Sequence, residues 1–177
     1  MNILALDLGT KTGWCLYAQH VRESGVQTFD VKRGESPGMR YLRFRRWLEE
    51  IALWEDGVGN RVRPVNLIVY EQTLGRFAHG GAQSEIAAGF ATRVQEFCAE
   101  RGVEHAAVHG STLKKWTTGK GNAKKAAMAS SVVARFFPQE CVETRAKILL
   151  AIDDNEADAI ALLEYAKAEL APKAESA

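Results

Sequence analysis

Cysteine is scarce in this chain: Cys15, Cys98 and Cys141 are odd in number, far apart, and in no Cys-x-x-Cys pair. That excludes a zinc knuckle or a disulfide framework and reads as reduced thiols, so a cytoplasmic location is expected. A surplus of one charge sign is missing too. With 23 Lys and Arg against 22 Asp and Glu, the net charge is +1. This excludes a uniformly basic DNA-coating protein and leaves any nucleic-acid contact to local patches. No uninterrupted apolar run is long enough to span a bilayer, and no basic segment followed by an apolar one opens the chain. Neither a membrane partner nor export is therefore expected. Repeats, linkers and breaks in composition are also lacking, so the 177 residues read as one domain over 1–170 with a flexible tail at 171–177.

What is present is a sequence of strand and helix signals in mixed order. Strand patterns fall at about 2–8, 12–19 and 26–32, the first two so close that they must form an antiparallel hairpin. From Gly38 to Trp54, Phe44, Trp47, Leu48, Ile51 and Trp54 recur at helical spacing, with Arg40, Arg43, Arg45 and Arg46 in the first half. The run 65–70 reads as a strand buried on both faces and ends in Glu71. A glycine-bearing loop, a helix over about Gln83–Arg101 and a short strand at His105–Val108 follow. The remainder reads as a basic loop, a helix over about Asn122–Phe136, a connector near Pro138 and a last helix over about Asp154–Leu170. Three antiparallel strands followed by alternating helix and strand describe an α/β fold: a mixed five-stranded sheet flanked by helices.

Ligands in such sheets gather at the carboxyl ends of strands, and two carboxylates stand there. Asp7 closes the first strand within Asp7-Leu8-Gly9-Thr10, and Glu71 closes the fourth. A third acidic element, Asp153-Asp154-Asn155-Glu156-Ala157-Asp158, opens the last helix. Asp154 or Asn155 as N-cap and Glu156 in the first turn account for part of its acidity through capping and the helix dipole. Asp158 lies one turn further in, beside alanines that let the helix pack close to the sheet. Three carboxylates from distant segments make an oxygen-rich site of the kind Mg²⁺ or Mn²⁺ prefers, and two such ions can drive phosphodiester hydrolysis. Between His109 and Lys125 lie Lys114, Lys115, Lys120, Lys124 and Lys125 with glycines, hydroxyls, one tryptophan and no acidic residue. Lysines neutralise phosphates and glycine N–H groups approach them, so a DNA backbone is expected there, with Asn122 capping the helix that follows.

The order of these motifs resembles the RuvC-type Holliday junction resolvases. It comprises Asp7-x-Gly9, strand-terminal Tyr70-Glu71-Gln72, the Leu113-Lys114-Lys115 to Lys124-Lys125 segment, and Ala157-Asp158-Ala159 in the last helix, and it runs from Met1 to about Ala168. The resemblance implies a ribonuclease H-like fold and a metal-dependent, structure-selective endodeoxyribonuclease. It also implies four-way junction DNA as substrate, a homodimer with the helix near 83–101 in its interface, and Mg²⁺ or Mn²⁺ as cofactor. By the same resemblance Asp7, Glu71 and Asp158 are metal ligands, Lys125 stands near the scissile phosphate, and Lys114 contacts the backbone. Phe77, in the loop after Glu71, is placed like the aromatic that resolvases push into a junction; a buried loop anchor is the other reading. Three residues before the last aspartate the family carries an acidic residue or a histidine, whereas this chain has Asn155. Either Asn155, through its amide oxygen, or Asp154 is the fourth ligand. The compact chain suits a phage or prophage member.

Plainer readings stand beside these. The arginines at 40–46 read as an exposed helix face, Trp47 and Trp54 as packing residues, and His79, His105 and His109 as structural or surface residues without ligand spacing. Two other functions compete. A non-catalytic junction-binding module would keep the fold and lose the chemistry through Asn155. An actin-like ATPase would use Asp7–Thr12 as a phosphate loop but needs a second loop and a second lobe.

Overall fold

A computed structural model describes residues 1–52, 65–72 and 81–170. Trp54, Phe77, His79 and the tail at 171–177 lie outside the described residues. Five strands form one mixed sheet in the order β3-β2-β1-β4-β5. They are β1 (Ile3–Asp7), β2 (Lys11–Ala18), β3 (Val21–Thr28), β4 (Leu67–Gln72) and β5 (Glu104–His109). The first three pair antiparallel; β1 with β4 and β4 with β5 pair parallel. Around the sheet lie α1 (Met39–Ala52), α2 (Gly81–Arg101), α3 (Gly110–Thr118), α4 (Lys125–Phe136), α5 (Val142–Ala151) and α6 (Asp154–Tyr165), the last continued by a π turn over Ala166–Leu170. Among the described residues no helix is long and apolar enough to cross a membrane.

Strand alternation decides which side chains meet which helices, because successive residues point to opposite faces. On one face Leu4, Leu6, Ile68 and Tyr70 pack with Phe29, Phe44, Phe90 and Phe97, and Trp47 leans on the same cluster. On the other, Ile3, Ala5, Leu67 and Val69 pack with Ala157, Ala159, Ile160, Ala161 and residues of α4. Small residues let α6 lie close over β1 and β2. At its start the approach is backbone to backbone: a Cβ on Gly13 would stand 1.9 Å from the Asn155 carbonyl oxygen.

Four expectations need correction. The third strand spans 21–28 rather than 26–32, because β2 and β3 are joined by Gln19 and His20, both left-handed (φ 52° and 66°), with no glycine to announce the turn. The basic loop is largely helical: Leu113 and Thr117, one turn apart, are buried and fix α3, which Gly119 closes at φ 80°. Asn122 caps nothing there, since α4 begins at Lys125 with Lys124 in the capping position. The connector near Pro138 leads into a further helix, α5, which has no buried residue and exposes Val142, Leu149 and Leu150.

Candidate active site

Asp7 and Glu71 continue the odd-numbered rows of β1 and β4, so both carboxylates leave the sheet on the α6 side. The register Leu6↔Tyr70 makes them neighbours at the next step. Above them α6 brings in Asp158. Its N-cap is Asp153, not Asp154 or Asn155: the Asp153 carboxylate accepts from the Asn155 N–H at 3.0 Å and pairs with the Lys11 ammonium. Asn155 then donates its side-chain N–H to the Lys11 carbonyl at 3.1 Å. These bonds tie the first turn of α6 to the start of β2, which sets the height of Asp158 above the sheet.

The three carboxylates feel one another through a poorly solvated medium. Burial, then Asp158 and Glu71, push the Asp7 carboxyl up to about 8, with Lys125 pulling the other way. Burial and Glu71 push Asp158 up to about 6, against Lys114 and Lys125. Glu71 is raised by burial and held down by Lys114 and His109. One Asp158 oxygen, Oδ1, is buried with no hydrogen-bond partner among the described residues. A buried carboxylate oxygen is costly to leave unpaired, and a hard cation is the partner such oxygens suit. Among the described residues, however, no three acidic, histidine or cysteine side chains lie close enough together to hold one ion. Mutual repulsion separates like charges in a low dielectric, so a cation would have to draw them together. The donor chemistry is that of a hard divalent metal site, although the side chains as placed do not close around one ion.

A cavity of about 460 Å³ opens over this point, lined by Asp7, Glu71, His109, Ser111, Lys114 and Gly121 among others. Lys125 stands at the first turn of α4 and pairs loosely with Asp154 (3.4 Å), both side chains being well exposed at 69% and 47%. Lys115, Lys120 and Lys124 are exposed around the same segment. Asp7, Glu71, Asp158, Lys114 and Lys125 thus lie within electrostatic reach of one another, and Asp154 joins them through Lys125. The Asn155 amide N–H is committed to a backbone carbonyl. Three arginines of α1 instead face acidic residues: Arg43 pairs with Glu35, Arg45 with Glu49 and Glu100, and Arg46 with Glu50, whereas the Arg40 Nε is buried and finds no hydrogen-bond partner among the described residues. Of the arginines read as an exposed helix face, Arg46 is well exposed and Arg40, Arg43 and Arg45 are partly buried.

His109, read from sequence as structural or surface, lines the cavity. Its Nδ1 accepts from the Ser111 N–H at 3.2 Å and caps α3. One signal could have found it: it ends β5, the strand beside β4, at the same sheet edge as Glu71.

No family model matches the chain, and no curated protein does. Solved structures match in fold. The Thermus thermophilus RuvC structure aligns over 95% of this chain and 96% of its own, with TM-score 0.66 and 19% identity. RuvC of the same organism in complex with a Holliday junction substrate aligns over 92% and 90%, with TM-score 0.60 and 19% identity. The fowlpox virus Holliday junction resolvase aligns over 95% and 99%, with TM-score 0.50 and 13% identity. The expected fold, ribonuclease H-like and shared with RuvC resolvases, is the fold observed.

Proposed function

We propose that this protein is a metal-dependent, structure-selective DNA endonuclease that resolves four-way junctions. The observation that carries the reading is the placement of Asp7 and Glu71 at the ends of neighbouring strands with Asp158 of α6 near enough to raise the Asp7 carboxyl, one Asp158 oxygen being buried without a hydrogen-bond partner among the described residues, and with Lys114 lining the cavity beside them. The fold shared with two RuvC structures, one of them bound to a Holliday junction substrate, supports the choice of DNA as the phosphodiester.

Asp7, Glu71 and Asp158 would hold Mg²⁺ or Mn²⁺, with Asn155 or Asp154 completing the set. Metal held there would supply the activation of water and the stabilisation of the leaving oxygen in phosphodiester hydrolysis. The remaining work falls to the chain. Lys125 acts electrostatically on both Asp7 and Asp158. Its exposed pair with Asp154 is weak enough to exchange for a phosphate. Lys114 lines the cavity beside Glu71 and holds the backbone on the other side. Lys115, Lys120 and Lys124 neutralise flanking phosphates and set register rather than sequence. Phe77 follows β4 and is assigned to the junction centre by family resemblance alone. Because a four-way junction has two-fold symmetry, paired incision calls for a homodimer with matching active sites, and α2 is assigned to its interface.

The test is a gel assay of synthetic four-way junction against matched linear duplex in Mg²⁺, Mn²⁺ and EDTA. Cleavage of the junction alone, and only with metal, is the expected outcome. Binding in EDTA without cleavage in either metal would favour the non-catalytic module, and binding neither DNA would overturn the proposal.

A further inference from the structure

The step from β5 into α3 passes directly over Glu71. The β4–β5 register pairs Glu71 with Val108 and Gln72 with His109, so Gly110 is the first residue beyond the paired strand. A Cβ built on Gly110 would stand 2.2 Å from Glu71 Oε1, 3.0 Å from Cδ and 3.7 Å from Cγ. Those are its three nearest neighbours within 4 Å, and all belong to one flexible side chain. The glycine is not required by its backbone, because its φ is not among the positive values of the chain. It is required by the carboxylate. His109 holds this point of the chain in place: Nδ1 accepts from the Ser111 N–H, and Ser111 Oγ lies 2.8 Å from the same nitrogen.

We infer that His109 and Gly110 are positioning residues for the Glu71 carboxylate: Gly110 vacates the space that Oε1 occupies, and the His109 cap fixes where that space lies. The inference rests on the reading of Glu71 as a metal ligand. A methyl group at position 110 displaces the carboxylate rather than the fold, since the atoms it meets are the mobile end of a side chain. A shift of about 1 Å in a reacting constellation costs on the order of 10²-fold in rate, and metal binding should weaken in parallel. His109→Asn keeps a capping side chain and should preserve the geometry, whereas His109→Ala removes the cap.

The full chain is tested with Gly110→Ala, Glu71→Gln, the double variant, His109→Asn and His109→Ala. Three readouts are taken: Mn²⁺-induced rise in melting temperature, junction affinity in EDTA, and cleavage rate. Gly110→Ala should leave the EDTA melting temperature and junction affinity near parental. It should raise the Mn²⁺ needed for half-maximal stabilisation about tenfold and slow cleavage by one to two orders of magnitude. In the Glu71→Gln background it should add little, because both changes act on one carboxylate. His109→Ala should share the Mn²⁺ defect, and His109→Asn should largely rescue it.

A Gly110→Ala variant with parental Mn²⁺ response and cleavage, alongside a crippled Glu71→Gln, overturns the positioning role and leaves the metal-site reading standing. Parental behaviour of Glu71→Gln itself overturns that reading instead. If Gly110→Ala does not fold, Gly110→Ala/Glu71→Ala decides. With the carboxylate gone the methyl has room and the chain should fold, and failure of that variant refutes the inference.

Discussion

The two faces of the sheet are built on opposite terms. On the α1–α2 side, Phe29, Phe44, Phe90 and Trp47 interlock, with Phe29–Phe44 ring centroids 5.3 Å apart and Phe44–Phe90 4.9 Å apart, both edge to face, and Phe97 and Tyr70 are buried in the same cluster. On the α6 side the buried filling is mainly alanine, valine, leucine and isoleucine with Met128 and Cys15, aromatics such as Tyr17 and Phe136 are only partly buried against it, and the odd-numbered rows of β1 and β4 that begin with Ile3 and Leu67 end in carboxylates. The first face maximises apolar burial. The second gives up bulk so that a helix can come close, and then buries charge at the point of approach. Stability and chemistry are thus separated across one layer of backbone, and a substitution should reveal which face it belongs to by what it changes.

The largest effect is expected from Asp7→Asn. Removing one carboxylate from the group should slow metal-dependent cleavage by about 10³-fold or more, while junction binding in EDTA persists on the lysines. Gel cleavage and gel shift on one preparation check this; a variant cutting at the parental rate would place the chemistry elsewhere. Phe44→Ala, on the other face, should do the reverse. Phe44 is fully buried, so its truncation should cost about 3–5 kcal/mol of unfolding free energy, read by urea denaturation, with cleavage per folded molecule little changed. If Phe44→Ala instead lowers the turnover of the folded fraction, the two faces are coupled and the separation fails.

Gly13→Ala tests the seam between them. The added methyl would meet the Asn155 carbonyl, a backbone atom that cannot swing aside. The start of α6 must lift, at a cost of about 1–3 kcal/mol, and Asp158 lifts with it. Both melting temperature and cleavage should fall, unlike in either variant above.

How much of this was legible before the structure follows from which rules are local. Asp7, Glu71 and Asp158 stood out because strand ends and helix periodicity can be read from neighbouring residues, and the sheet edge then sets Asp7 beside Glu71, with Asp158 within electrostatic reach. The turn at Gln19-His20 was not legible, since left-handed backbone without Gly or Asn leaves no mark in composition, and the third strand was set too late in consequence. Helix α3 was hidden by Gly110, Ser111 and Thr112 at its start, residues that read as loop until Leu113 and Thr117 are seen buried. The same glycine concealed the role argued for it above, because what requires it is Glu71, a residue 39 positions earlier in the chain. Lys125 and Lys114 were legible as a basic cluster. The Arg45–Glu49 and Arg46–Glu50 pairs follow from i,i+4 spacing, whereas Arg45–Glu100 was visible only in three dimensions.

A smaller effect concerns the lysine rim. Charge reversal at Lys114 or Lys125 should weaken junction binding and reduce the slope of log affinity against log salt by about 0.9 for each phosphate no longer neutralised. Reversal of Arg46, which is paired with Glu50, should leave the slope unchanged. Titrations at several salt concentrations compare the two surfaces directly, and equal slopes for all three variants would remove DNA from the rim.

The smallest effect tests whether the charged face is a thermodynamic burden. The Asp7 carboxyl is held at about 8 in the folded protein against 3.8 as its ordinary value, and Asp158 at about 6. Well below pH 4 both groups are protonated in folded and unfolded chains alike. Between pH 4 and 8 the unfolded chain releases the Asp7 proton while the folded chain keeps it, so the folded state binds more protons and stability falls as pH rises. Asp158 adds to the fall mainly between pH 4 and 6. In EDTA, Asp7→Asn, which cannot ionise, should therefore melt close to parental at pH 4 and be the more stable protein at pH 8, by about 1 kcal/mol or more. Saturating Mn²⁺ should reverse the order at pH 8, since a cation stabilises the ionised parental carboxylates and has less to hold in the variant. Melting curves of both proteins at these pH values, with and without metal, give the answer. If Asp7→Asn is no more stable than the parent at pH 8 in EDTA, then burying this carboxylate costs nothing, and the contrast between the two faces is one of packing alone.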